Sequence, residues 1–91
     1  MKFFEWNSEK NERLKRERGI SFEEVVFFIE KGAVLDIIQH PNNQKYADQK
    51  IYVININEYV YLVPFVETDR SYFLKTVIPS RKMTKRYLRG D

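Results

Sequence analysis

A chain of 91 residues is long enough for one domain with one core. A hydrophobic content of 43% and an aromatic content of 15% argue for a folded globule and against disorder, and a net charge of only +3 excludes a strongly basic or acidic chain. The lack of cysteine rules out disulfides and thiolate metal sites.

Residues 2–6, KFFEW, predict a short first strand, because aromatic side chains favour pleated backbone. Asn7 is a predicted N-cap for a helix over 8–18, SEKNERLKRER, which Gly19 ends. Leu14 is nearly its only apolar residue, so most of this helix is expected to be exposed. Ser21-Phe22-Glu23-Glu24 spells a capping box, flanked at the hydrophobic-staple positions by Ile20 and Val25. Phe22, Val25, Val26 and Ile29 recur at helical spacing, Phe27 and Phe28 widen the apolar face, and Lys31 and Gly32 close the helix. Residues 33–38, AVLDII, predict a strand, followed by a polar loop from His40 to Gln49.

Residues 51–56 and 59–66 predict two strands joined at Asn57-Glu58, a hairpin turn without the favoured glycine. The second is apolar on both faces, as a central strand covered on two sides would be, although Pro64 prefers an edge or a bulge. A polar turn over 67–71 leads to a last strand over 72–78. Pro79 then breaks the pairing and Ser80 caps a final basic helix over 81–89. The order β-α-α-β-β-β-β-α predicts an α+β fold: an antiparallel sheet of four to five strands, two N-terminal helices and a short basic C-terminal helix, all in one domain over 1–91.

No run approaches the roughly 18 apolar residues that a membrane span needs. The N-terminal segment has no apolar stretch of signal length, so a cytoplasmic protein without a membrane partner is expected. The charge is unevenly placed. Residues 75–91 hold Lys75, Arg81, Lys82, Lys85, Arg86 and Arg89 against the single acid Asp91, whereas residues 1–74 hold ten bases and twelve acids. Such a patch is the footprint of a polyanion partner, of an acidic protein, or simply of a solvated helix face.

Several segments in the same order resemble the BrnT family of toxins. Phe4-Glu5-Trp6 precedes Asn7-Ser8-Glu9-Lys10; a charged run ends in Arg18-Gly19 before Ile20-Ser21-Phe22-Glu23-Glu24-Val25; and Ile78-Pro79-Ser80-Arg81 leads into Lys82, Thr84, Lys85, Arg86 and Tyr87. The resemblance covers most of the chain. It implies a fold similar to RelE-type ribonuclease toxins and metal-independent RNA cleavage. It also implies neutralisation by a BrnA-like protein antitoxin, with operator DNA bound only through the antitoxin complex. The chain departs from the family at Arg18, where a His is usual, and at Lys75-Thr76, where the last strand often carries an Arg. Besides a ribonuclease toxin, two readings stay open: a non-catalytic module that binds nucleic acid or protein, and a toxin that has kept antitoxin binding and lost activity.

Metal-free RNA cleavage needs a base for the 2′-hydroxyl, an acid for the leaving oxygen and cations for the phosphorane. The catalytic candidates are Arg81, Lys75, His40 and Tyr87. Arg81 offers a planar fork at a helix start, His40 is the one histidine, and Tyr87 offers a phenol or a stacking ring. Lys82, Lys85, Arg86, Lys45 and Arg70 are the RNA-binding candidates. Bland readings stand beside each: packing for Tyr87, an incidental loop residue for His40, local ion pairing with Glu67 and Asp69 for Arg70. Tyr52, Tyr59, Tyr61, Phe65 and Phe73 read as core or sheet surface, with a base-stacking platform as the sharper alternative. One His, no Cys and no tight acid cluster build no metal site, and no cofactor motif is present.

Overall fold

The computed structural model describes residues 2–42 and 44–90. Met1, Asn43 of the polar loop and Asp91, the one acid of the basic C-terminal stretch, lie outside the described residues. In chain order the elements are β1 (Phe3–Glu5), α1 (Ser8–Arg18), α2 (Phe22–Glu30), β2 (Val34–Gln39), β3 (Gln49–Ile56), β4 (Tyr59–Glu67), β5 (Ser71–Leu74), β6 (Ile78–Pro79) and α3 (Arg81–Leu88). The fold is α+β, as the sequence order predicts.

Local chemistry sets the helix ends. The Asn7 side chain accepts from the Lys10 N–H at 2.8 Å, and Gly19 leaves α1 at φ 65. Both halves of the capping box at Ser21 and Glu24 form, and Ile20 and Val25 are both buried beside it. Ser80 starts α3 by accepting from the Met83 N–H at 3.1 Å. As its composition predicts, α1 buries only Asn11 and Leu14. Asn11 ties it to α2: its amide nitrogen donates to Glu23 at 2.7 Å and its oxygen accepts from the Phe22 N–H at 2.8 Å.

The strand order is β1-β5-β4-β3-β2, with β6 pairing to β4 off that path. From β2 to β5 the pairing is antiparallel. The sheet as a whole is mixed, because β1 joins β5 in parallel. A parallel partner requires a long crossover; here the chain from α1 to β4 intervenes, carrying it to the far edge and back. The predicted last strand over 72–78 is two strands, β5 and β6, with an interruption between Leu74 and Ile78. Pro64 explains the break. Its carbonyl accepts from the Lys75 N–H at 2.8 Å, so its proline nitrogen, which carries no hydrogen, faces the same neighbour. The register moves from Phe65↔Leu74 to Leu62↔Ile78, one extra residue on the last strand, which is a bulge opposite the proline.

Tyr52, Ile54 and Ile56 of β3, Val63 and Phe65 of β4 and Leu74 of β5 face the helices. They form one core with Leu14, Ile20, Phe22, Val25 and Val77. Trp6 stacks on Phe22 at 5.7 Å and Tyr52 on Phe65 at 4.1 Å. Among the described residues no helix is long and apolar enough to cross a membrane.

Candidate nucleic-acid interface

The other sheet face positions the basic residues. Side chains alternate along strands, so the pairing register sorts that face into rows. Asn55 and Val60 lie in the first row, and Asp36, Val53, Leu62 and Ile78 in the second. Ile38, Ile51 and Pro64 form the third, which Lys75 joins through its bond to Pro64. Gln49, Val66 and Phe73 form the fourth, extended at one edge by Glu5 and at the other by His40, whose N–H donates to the Gln49 carbonyl at 3.4 Å.

α3 lies across the first two rows. Its buried Thr84 hydroxyl accepts from the Val60 N–H at 2.9 Å and donates to the Ser80 carbonyl at 2.7 Å. The Ser80 N–H donates back to the Val60 carbonyl at 2.9 Å, so a hydroxyl and one backbone amide continue the sheet ladder where β6 ends. At the far end of the helix the Tyr87 hydroxyl donates to Asp36 Oδ2 at 2.9 Å. Thr84 thus meets the first row and Tyr87 the second. These two contacts fix the roll of the helix on the sheet.

Every strongly exposed side chain on this helix is a cation: Arg81, Lys82, Lys85 and Arg86, with Arg89 following at the cap. At 100° per residue these five span one arc of about 140°. Lys82 with Arg86 and Lys85 with Arg89, each pair four residues apart, therefore share one face. The first turn carries no acid, and none of the five makes an ion pair among the described residues.

The remaining candidates divide. Lys75 is exposed at the bulge, with its ammonium 5.5 Å from the centre of the Phe73 ring. Arg70 sits in the β4–β5 turn at the same end of the sheet; its expected partner Glu67 pairs with Lys2 instead. His40 and Lys45 lie at the opposite edge. His40 Nδ1 accepts from the Asn42 N–H at 3.1 Å, which puts the proton of the neutral ring on Nε2. Its ring packs against Tyr46 at 4.4 Å, and Lys45 covers the Tyr46 ring at 5.3 Å. Three strand spacings, about 14 Å, separate the His40 edge from Phe73, so His40 does not converge with Lys75 or α3 on one atom. Tyr87 is engaged as a clamp: the hydrogen bond to Asp36, then burial and the carboxylate charge, raise its phenol pKa. That favours packing over proton transfer for Tyr87.

Two residues that position this surface were not singled out from the sequence for it. Asp36 holds Tyr87 with one oxygen and caps the Ile37 N–H with the other at 2.8 Å, blocking one donor of edge strand β2. Its one signal is an acid inside the apolar run AVLDII. Arg18, the departure from the family pattern, donates to the Val77 carbonyl and so ties the end of α1 to the bulge that presents Lys75. Phe73, one of the aromatics read as core or sheet surface with a stacking platform as the alternative, is half-buried on the α3 side of the sheet. No three of His, Asp and Glu gather as a metal-holding group among the described residues. The chain matches no protein-family model, no curated protein and no solved structure.

Proposed function

We propose that the protein is a BrnT-like toxin of a toxin-antitoxin pair that binds RNA along α3 and cleaves it without a metal, and that a BrnA-like antitoxin neutralises it. The observation that carries the RNA reading is the arc of five exposed cations on α3 and its C-cap, none of which makes an ion pair among the described residues. Arg and Lys on one helix face match a phosphate backbone, and their salt-dependent contacts supply most of non-specific affinity. In this reading Arg81, Lys82, Lys85 and Arg86 hold phosphates, Lys75 supplies a cation from the sheet, and Arg81 stabilises charge on the cleaved phosphate.

A second reading is favoured by a specific observation. The groups suited to proton transfer are occupied or distant: the Tyr87 hydroxyl is bound to Asp36, and His40 Nδ1 is bound to backbone at the far edge. A binding module without catalysis has the same α3 and needs neither group.

Induced expression in a bacterial host, with growth and RNA 5′ ends followed together, tests the proposal. Growth arrest with new RNA ends, both relieved by Arg81→Ala and by co-expression of an antitoxin, is the expected result. Normal growth and intact RNA with folded protein present would favour the binding module.

A further inference from the structure

The fourth row of the α3-side sheet face has features that a phosphate-binding helix does not need. At one end Lys75 sits over Phe73, and at the other Lys45 sits over Tyr46, which packs on His40. Phe73, Tyr46 and His40 are each half-buried, so each side chain is partly packed and partly exposed to solvent. Both lysines are exposed. Gln49 and Val66, paired between the two ends, are half-buried.

Resting on the RNA reading above, we propose that this row is a platform for single-stranded RNA, with one base stacked on Phe73, another on Tyr46, and the adjoining phosphates on Lys75 and Lys45. The width of the row, about 14 Å, suits two or three nucleotides of an extended strand. Stacking on aromatic rings beside cations is how sequence-tolerant single-strand sites are built. A base arriving on Phe73 displaces the Lys75 ammonium from the ring face onto the adjoining phosphate, so the lysine exchanges one electron-rich partner for another. Duplex RNA cannot use the row, because its bases are stacked on each other and its edges alone face outward. Glu5, beside Phe73 on β1, closes that end to phosphate by like-charge repulsion and sets the direction from which the strand arrives.

Fluorescence anisotropy with a labelled ten-nucleotide unpaired RNA and a duplex of equal length tests this on the full chain. Phe73→Leu and Tyr46→Ala are each expected to weaken single-strand binding at least about fivefold, to leave duplex binding unchanged, and to leave the melting curve cooperative. Phe73→Trp and Tyr46→Phe keep the rings and are expected to keep the affinity, which separates stacking from a packing defect. Wild-type affinity in Phe73→Leu and Tyr46→Ala, with binding lost in a Lys82→Glu/Arg86→Glu variant, would overturn the platform and leave the RNA reading of α3 standing. Equal loss for both RNAs in the ring variants would overturn the platform as well. Failure of the wild-type chain to bind either RNA at low salt would overturn both readings.

Discussion

Replacing Lys82 and Arg86 together by glutamine removes two of five exposed cations from α3 without disturbing a contact, since neither has an acidic partner among the described residues. The effect on RNA binding follows from counterion release. Each phosphate contact to a single strand contributes about −0.7 to the slope of log affinity against log salt. Five contacts give a slope of about −3.5, which is roughly a hundredfold loss of affinity between 50 and 200 mM salt. The double variant retains three contacts, a slope of about −2.1 and roughly a twentyfold loss over the same range. Anisotropy titrations at four salt concentrations measure both slopes, and thermal melts of the two proteins are expected to coincide because the side chains are solvent-exposed. A wild-type slope near zero, or an unchanged slope in the variant, would refute the assignment of phosphate contacts to this arc.

Asn11→Ala strips the Phe22 N–H of its acceptor and Glu23 of its donor, and is expected to destabilise the fold by about 2–3 kcal/mol in urea unfolding; wild-type stability would mean that water replaces the amide. Asn57 and Glu58 both have positive φ, at 54 and 66, where a glutamate is strained. Glu58→Gly is expected to stabilise by about 0.5–1 kcal/mol, the relief of left-handed strain less the backbone entropy of glycine; a fall in melting temperature would contradict this. The Asn11 amide holds the Glu23 pKa below its ordinary 4.5, helped by a backbone hydrogen bond. A lowered folded pKa contributes stability above the unfolded value that is lost as pH falls through the folded one. The acid-side fall in melting temperature below pH 4.5 is therefore expected to shrink in Glu23→Gln; an unchanged pH profile would place the acid sensitivity elsewhere.

Helix boundaries were legible because capping is local. Asn7, Ser21 with Glu24, Gly19 and Ser80 sit within four residues of the groups they satisfy. The hairpin register followed from alternation over 51–56 and 59–66, and the two apolar faces of β4 are covered, as read. The parallel pairing of β1 was not legible, because three residues carry no directional signal and the partner begins only at Ser71. The break between β5 and β6 was half legible. Pro64 announces a missing donor, but which neighbour it affects depends on the register of β4. In the candidate site, the cations of α3 and their single arc follow from helical spacing, while the seating of that helix on the sheet depends on the contacts of Thr84 and Tyr87. The role of Asp36 depends on a contact 51 residues away, and that of Arg18 on one 59 residues away. No local pattern encodes either.

The central claim is that this surface cleaves the RNA it binds, and the most direct measurement is incubation of purified protein with a defined RNA in excess chelator, followed by mapping of 5′ ends. The account predicts new ends that appear without added metal, accumulate with time and are suppressed by Arg81→Ala. RNA that is bound but remains intact after prolonged incubation would contradict cleavage and leave α3 as the surface of a binding module.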